Sequence, residues 1–240
     1  MAKLIWDETE KRLYETGVDH VALFLMNSKS EDPSHPYSKP VAWNGITGIT
    51  ESPDGADAND IYADNIKYLS LISKENWKGT IKAYQSPKQF KVCEGEIEFN
   101  SGNTSADVNN IYFGQQSRRR FALAWRTIVG NASEGDGYGY KLHIAYGLSA
   151  APSERDHATE NDSPEATAFS WEINSIPEVA THEIAAGIVP EPVSHVVIDS
   201  KKSDGTDNDV YTAIEAKVFD ADEYLMGIDD LIDEIKTAAA

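Results

Sequence analysis

The stretch RFALAWRTIVGNASEGDGYGYKLHIAYGLSA, residues 120–150, decides the fold predicted for this chain. Its two ends, 120–130 and 140–150, are rich in the β-branched and aromatic residues that favour strands. The glycine-rich part between them, GDGYGYK (135–141), would cradle a phosphate only if a helix followed it. The strand-like KLHIAYG follows instead, so we predict a β-hairpin here.

Six further segments have the length and composition of strands, and each is bounded by Gly, Pro, Asn or Asp. They are residues 20–26, 40–52, 65–73, 79–86, 165–175 and 193–200. With the hairpin they make about eight strands, which is enough for a sandwich or a barrel. The sequence therefore predicts a mainly β protein.

Helices are expected in three places. Residues 87–93 have the length of one or two turns, with Pro87 at a first helical position. Residues 207–220 place apolar side chains four apart, with Asp207 or Asn208 available as N-cap. Residues 227–236 carry one apolar stripe, which we expect to dock on the body of the domain or on a neighbour; it consists of Ile228, Leu231, Ile232 and Ile235.

Three polar stretches, 28–40, 51–64 and 151–164, are predicted to be long surface loops. Loops of this length on a compact sheet are usually functional or disordered. The segment 51–64 is rich in Asp and also contains Gly and Pro, and such a composition buries too little apolar area to fold alone. We expect it to be mobile in the monomer.

Charge and cysteine content restrict the classes of function. The chain has 240 residues, 40 of them acidic and 21 basic, which gives a net charge of -19. That balance argues against ordinary duplex-DNA binding, which uses Lys and Arg to displace counterions. Cys93 is the only cysteine, so a disulfide framework is excluded and a reducing cytoplasm is expected. No apolar run reaches the ~20 residues of a membrane span, and the charged start is unlike a secretory signal.

Residues that could carry chemistry are scattered. The six histidines are His20, His35, His143, His157, His182 and His195. None of them pairs with another at metal-ligand spacing along the chain, and Cys93 has no neighbouring His or Cys. The sequence therefore predicts no catalytic residue, no cofactor and no metal, and a small core role for Cys93.

Two charged patterns remain open to interpretation. In CEGEIEF (93–99), Glu94, Glu96 and Glu98 would share one face of a strand, which is typical of a solvated face. Paired catalytic carboxylates are the alternative. Arg118, Arg119 and Arg120 could contact nucleic acid, could be a solvated strand entry, or could form an ion-pair patch between subunits.

Five segments, taken in order, resemble the major tail protein (tail tube protein) family of long-tailed, non-contractile bacteriophages. The resemblance covers about residues 1–176, and it rests on the order of the segments because no single motif carries chemistry. The segments are AKLIWDETEKRLYETGVDHVALF, VAWNGITGITESPDGADANDIYADNIKYLSLIS, GTIKAYQSPKQFKVCEG, GQQSRRRFALAWRTIVGN and YKLHIAYGLSAAPSERDHATENDSPEATAFSWEINS.

This resemblance implies a non-enzymatic building block. The fold would be a tail-tube-type β-sandwich or barrel (1–176) with a short flanking helix, followed by a linker, an additional strand and C-terminal helices (177–240). Copies of the chain would form hexameric rings that stack into a tube, enclose the tape-measure protein and conduct double-stranded DNA. Tail terminator and distal tail proteins would be further partners, without membrane insertion. The protein would be assembled in the host cytoplasm and would reside in the virion.

The resemblance also assigns possible surfaces. The loop 51–64 stands where such proteins contact the next ring, and we expect it to become ordered on stacking. Arginines 118–120 would then meet acids of a neighbouring subunit. The expected acids are Glu51, Asp54, Asp57 and Asp60, or those of 151–164, while Glu94, Glu96 and Glu98 would form an acidic lumen or solvated face.

Two alternatives remain. One is the inner tube of a contractile tail or of a phage-derived injection device. The other is a carbohydrate-binding or carbohydrate-hydrolysing β-sandwich, in which tryptophans stack on sugars. The tryptophans are Trp6, Trp43, Trp77, Trp125 and Trp171. We expect Trp43, Trp125 and Trp171 to be core or interface residues instead, because they lie inside strand patterns.

Overall fold

One curved antiparallel sheet forms the body of the chain. This is shown by a computed structural model that describes residues 6, 8, 11–28, 32–55, 58–99, 110–153, 155, 159 and 166–239. Strand accounts for 46% and helix for 14% of the described residues. The predicted mainly β class is therefore confirmed.

Each of the predicted strand segments and helices has a counterpart, and the segment 40–52 divides into two strands. The strands are β1 (Leu13–Leu25), β2 (Val41–Ala42), β3 (Ile46–Glu51), β4 (Ala58–Ala63), β5 (Ile66–Ile72), β6 (Lys78–Ala83), β7 (Ile97–Glu98), β8 (Tyr112–Phe113), β9 (Phe121–Asn131), β10 (Gly135–Pro152), β11 (Phe169–Ser175) and β12 (His195–Asp199). The helices are α1 (Lys91–Glu94), which follows a 3₁₀ turn at Lys88–Phe90, α2 (Asp209–Val218) and α3 (Ile228–Ala238).

The strands of the large sheet follow the order β2, β1, β9, β10, β11, β6, β3. The predicted hairpin, β9 and β10, lies at its centre. β12 also pairs with β10, next to the stretch of β10 that pairs with β11. At the far end β3 comes back against β1, so the sheet curls around its own inner face. Residues 177–240 thus add β12 to the same sheet and two helices to its outer face.

The central strands are buried on both faces, which explains their nearly continuous apolar sequence. In β9, Leu123 and Trp125 point into the core enclosed by the curled sheet, which we call the inner core. Ala122 and Ala124 point to the opposite side, where α2 and α3 cover the sheet. We call this second cluster the helix-side core. Because successive side chains of β9 point to opposite faces, the strand contributes to both cores.

A bulge at Gly147 lets β10 change partners. The register with β9 shifts between Ala145 and Leu148, and Gly147 has φ 63°. A Cβ atom at this position would lie 2.2 Å from the carbonyl oxygen of Ile176, so any other residue would force the backbone apart. Tyr146 before the bulge faces the helix-side core, whereas Leu148 after it faces the inner core. The bulge thus reverses which face the side chains of β10 point to, at the position where β10 stops pairing with β12 and starts pairing with β11.

Both C-terminal helices form where the sequence predicts them. The side chain of Asn208 accepts a hydrogen bond from the backbone N–H of Val210 and caps α2. In α3, Ile228, Leu231 and Ile232 are buried in the helix-side core. The prediction that this stripe packs on the body of the domain is confirmed.

An ion-pair group joins the sheet to α2. On β9, Arg126 donates to both carboxylate oxygens of Asp19 on β1 at 2.9 Å. It also donates to Glu215 of α2 at 2.8 Å, and its guanidinium lies 4.3 Å from the centre of the Tyr140 ring. The bidentate geometry and the low exposure of Arg126 make this a structural contact.

Candidate functional site

A two-stranded arm projects from the sheet between β3 and β6. Strands β4 and β5 pair with each other through a two-residue turn at Asp64 and Asn65, whose φ angles are 52° and 61°. Positive φ at both central residues is the requirement of the hairpin turns that match strand twist, and Asp and Asn tolerate it. The expectation of an unstructured loop at 51–64 is therefore wrong for residues 58–63, which form β4. We call residues 58–72 the arm.

The base of the arm is an extension of the β3–β6 pairing. The backbone N–H of Ser52 donates to the carbonyl of Lys78 at 2.8 Å. Asp54 and Asn76 exchange two backbone hydrogen bonds, at 2.9 and 2.7 Å. The arm thus leaves the body as a continuation of two strands of the sheet.

The arm exposes apolar side chains on both faces. Alternation along β5 places Ile72 on one face and Leu69 and Leu71 on the other, and Tyr68 lies at the register shift between the pairs Ile61–Leu69 and Tyr62–Lys67. Tyr68 is 66% and Ile72 is 72% exposed. The exposed large apolar residues of the arm are Ile61, Tyr62, Ile66, Tyr68, Leu69, Leu71 and Ile72. A cluster of this kind marks an interaction surface, since an isolated hairpin gains little stability from it.

Two of the acids predicted to meet a neighbour's arginines have partners within the chain. Asp60 accepts from Lys67 at 2.7 Å and from Ser70, and Asp54 forms an ion pair with Lys78. Asp57 and the acids of 151–164 lie outside the described residues. The interface assigned to these acids stays a prediction.

The three arginines 118–120 lie just before β9 and differ in how far they are buried. Arg119 is half-buried, and its Nε donates to the carbonyl of Met26 at 2.8 Å. Arg118 and Arg120 are exposed. Arg118 donates to the carbonyl of Ala150 at 3.1 Å, and neither exposed arginine forms an ion pair with an acid of the described residues. Arg119 therefore anchors its own chain, and the other two remain candidates for a contact between subunits.

The predicted strand face of Glu94, Glu96 and Glu98 does not form. Glu94 ends α1, and the glycine after it has φ 86°, which turns the chain before β7 begins. Glu94 is buried, accepts from the Trp171 indole N–H at 2.6 Å and pairs with Arg155. Glu96 and Glu98 bind Lys91 and Lys88, respectively. The helix end breaks the period of two, so the three carboxylates share no face.

Two histidines that the sequence left unpaired come together with Glu51. His143 of β10 and His195 of β12 are 52 residues apart, yet Nδ1 of His143 lies 3.3 Å from Nε2 of His195. Carboxylate oxygens of Glu51, the last residue of β3, lie 3.6 Å from Nδ1 of each histidine. We call these three residues the histidine cluster. No spacing rule could have found it, because three separate strands supply its members.

Aromatic rings hold the cluster in place at the edge of the inner core. The Trp125 indole stacks on His143 at 5.0 Å and on His195 at 5.5 Å, with interplanar angles below 10°. Trp77 packs on His195, and its indole N–H donates to Glu51 at 3.2 Å. The rings fix the histidine positions, while Glu51 remains partly exposed to solvent.

A hydrogen-bonded chain determines the tautomer of His143. The Thr127 hydroxyl lies 2.7 Å from a Glu15 oxygen and 3.1 Å from Nε2 of His143. Burial raises the pKa of Glu15, but hydrogen bonds from Lys141 and Thr127 outweigh it and hold that pKa below its ordinary value. The ionised carboxylate can only accept, so Thr127 donates to Glu15 and accepts from His143. His143 therefore carries its proton on Nε2, and the lone pair of Nδ1 points at His195 and Glu51.

Both imidazoles are neutral at pH 7. Burial lowers the pKa of His195 to about 4. Burial, followed by the neighbouring His195, also lowers the pKa of His143. Neutral imidazole is the form that binds metal ions.

A second buried polar group lies in the helix-side core. The Tyr37 hydroxyl donates to Glu178 and accepts from the backbone N–H of Gly147 at 3.0 Å. Burial raises the pKa of Glu178 above its ordinary value. The Tyr146 hydroxyl, also buried, has no hydrogen-bond partner among the described residues. This arrangement supports the bulge at Gly147.

Four of the five tryptophans and the cysteine are core residues, whereas Trp6 is 81% exposed. Trp43, Trp77, Trp125 and Trp171 are all buried, so they offer no exposed platform for a sugar ring. Cys93 is buried as well, and burial raises the pKa of its thiol to about 12, which makes it unreactive. The predicted core roles of Trp43, Trp125, Trp171 and Cys93 are confirmed.

Comparisons with known proteins add little to this picture. No protein-family model matches the chain, and no curated protein matches it. Among solved structures, it is similar to a chain of the anti-feeding prophage (AFP) baseplate, seen by cryo-electron microscopy with 6-fold symmetry. The identity is 9% and the TM-score 0.31, over 82% of this chain and 97% of that chain. These values are too low to carry an argument, so the tail tube resemblance stays a prediction.

Within the described parts of the chain, no helix has both the length and the apolar character that crossing a bilayer requires.

Proposed function

We propose that this chain is a structural subunit of a non-contractile bacteriophage tail tube. In this proposal it forms hexameric rings that stack around the tape-measure protein and later conduct DNA. It has no catalytic role. The support comes from the ordered series of resembling segments, the mainly β body and the arm.

The arm is the observation that carries the proposal. Seven exposed apolar side chains on a projecting hairpin need a partner, because isolated hairpins of this kind are marginally stable in water. The arm begins within the segment 51–64, where the tail tube resemblance places the contact with the next ring, and its second strand extends beyond that segment to Ile72. A second copy of this chain is the occupant that fits, since stacked rings offer every arm the same surface.

The net charge agrees with a DNA conduit. A chain with a charge of -19 repels phosphate, so DNA can slide through a tube of such subunits without binding. The same charge keeps monomers apart in solution, and the apolar arm supplies an attraction that overcomes this repulsion.

Substitution of the arm tests the proposal. Tyr68→Lys with Ile72→Lys places two charges at exposed positions of the arm and leaves both cores untouched. Concentrated wild-type protein is expected to form rings and tubes in negative-stain electron microscopy, and the double variant is expected to form no tubes. Val179→Lys is the matched control, because Val179 is 70% exposed but lies outside the arm.

Two results would contradict the proposal. One is wild-type protein that remains monomeric at high concentration. The other is normal tubes from the double variant, which would show that the arm does not join the rings. Unchanged circular dichroism spectra of all variants would confirm that the substitutions leave the fold intact.

A further inference from the structure

We infer that the histidine cluster is a binding site for one divalent transition-metal ion, held by His143, His195 and Glu51. This inference is independent of tube assembly. It rests on the donor set, on the distances between the donors and on the hydrogen bonds around them.

The donor set suits a borderline metal such as Zn²⁺. Imidazole nitrogens and one carboxylate are ligands that Zn²⁺ takes in open sites, where water fills the remaining position. The candidate ligand atoms of the three residues all lie within 4.8 Å of one another. Glu51 is partly exposed, which leaves a path for an ion and a water molecule.

The distances are close to those of a metal site. For bonds of about 2.0 Å, two ligands of a tetrahedral ion are roughly 3.3 Å apart. Nδ1 of His143 and Nε2 of His195 are 3.3 Å apart. The Glu51 oxygen lies 3.6 Å from Nδ1 of His143. The two nitrogens therefore already have the required separation, and the exposed Glu51 side chain is the one that must turn to complete the site.

The protons of the cluster indicate a cation as well. Because His143 carries its proton on Nε2, its Nδ1 is an acceptor only. His195 turns its Nε2 towards Nδ1 of His143 and its Nδ1 towards an oxygen of Glu51, so atoms that can accept converge from three side chains. A divalent cation between the three residues would bind these converging acceptors.

The surroundings of His143 resemble the outer shell of a metal ligand. Metal-binding histidines usually donate their second N–H to an acceptor that orients the ring. In this cluster, Nε2 of His143 donates to Thr127, which is held by Glu15, and Glu15 is held in turn by Lys141. The stack on Trp125 fixes the plane of the ring. The ligand is thus oriented before any ion arrives.

Zinc titration of tag-free protein, after dialysis against a chelator, tests the inference. Isothermal titration calorimetry is expected to show one Zn²⁺ per chain with a micromolar or lower Kd. Glu51→Gln should weaken binding more than about tenfold, and His195→Gln should weaken it further. Glu15→Gln should weaken it by about 10–100-fold, through loss of the outer shell. His182→Gln, at an exposed histidine outside the cluster, should change nothing.

Nitrogen chemical shifts of the histidine rings are a second measurement, and they identify which ring nitrogen binds the metal ion. Added Zn²⁺ should move Nδ1 of His143, because Nε2 is held by Thr127. Absence of stoichiometric zinc binding by the wild type, or equal affinity of wild type and Glu51→Gln, would overturn the inference. Metal-induced shifts at Nε2 of His143 would also overturn it, because they would show that Nδ1 is not the ligand atom. Melting curves of each variant show whether it is folded, and Glu51→Gln, at an exposed side chain, keeps the test informative if a histidine variant does not fold.

Discussion

Replacing Leu231 by alanine should destabilise the chain by about 3 kcal/mol, because α3 is held to the body by its buried stripe. Leu231 is 1% exposed and lies in the helix-side core. Core Leu→Ala substitutions cost roughly 2–5 kcal/mol, since they lose transfer free energy and leave a cavity. The upper end is not expected, because α3 covers the core from one side only and can partly close the cavity. For a chain of this length, a loss of 3 kcal/mol lowers the melting temperature by about 6–12 °C.

The assay is thermal and urea unfolding, followed by far-ultraviolet circular dichroism. Lys236→Ala is the control, because it also introduces alanine into α3 but does so on the exposed face of the helix. Its effect should stay within about 0.5 kcal/mol. If Leu231→Ala melts at the same temperature as Lys236→Ala, α3 does not contribute to the folded core, and the reasoning is refuted.

The buried tyrosines and the arginine triplet offer two further tests. Tyr37→Phe should cost about 1–3 kcal/mol, because it leaves the buried N–H of Gly147 and the partly buried Glu178 without their partner. Tyr146→Phe should be nearly neutral, and equal losses in urea unfolding would contradict the assigned hydrogen bonds. Changing both Arg118 and Arg120 to Glu should prevent tube formation by a chain that still folds, whereas Arg119→Glu should lower the melting temperature. Normal tubes from the double variant would show that the two exposed arginines are merely a solvated approach to β9.

The local pattern of apolar, polar and turn-forming residues was sufficient to predict most of the strands and helices. The central hairpin follows from two apolar runs around a glycine-rich turn, and the apolar stripe of α3 shows which face it buries. Continuous apolar sequence in 121–125 has a physical cause, because both faces of β9 are covered. These features depend on neighbours along the chain, and such features are the ones that a sequence displays.

The features that were predicted wrongly or missed depend instead on contacts between residues that are distant in sequence. β4 was hidden because acids and small residues dilute its apolar pattern, and its pairing with β5 depends on a turn at Asp64 and Asn65. The face expected for Glu94, Glu96 and Glu98 was lost because a single turn of helix ends inside the pattern. One partner of Glu94 is Trp171, 77 residues away. Contacts of that separation depend on sheet order, which periodicity does not encode.

The arm and the histidine cluster meet at Glu51, and this determines how their roles can be told apart. Glu51 ends β3 and faces two histidines of the sheet, whereas the exposed apolar residues begin beyond the paired backbone of Asp54 and Asn76. A metal ion at Glu51 would therefore fix where the arm leaves the body without covering its apolar faces. Substitutions at Tyr68 and Ile72 should leave zinc affinity unchanged, since neither side chain belongs to the cluster. Loss of zinc binding in Glu51→Gln with normal tubes would show that the ion stabilises the subunit alone. Loss of both zinc binding and tubes, in His195→Gln as well as in Glu51→Gln, would show that the bound ion and not only the Glu51 carboxylate contributes to assembly.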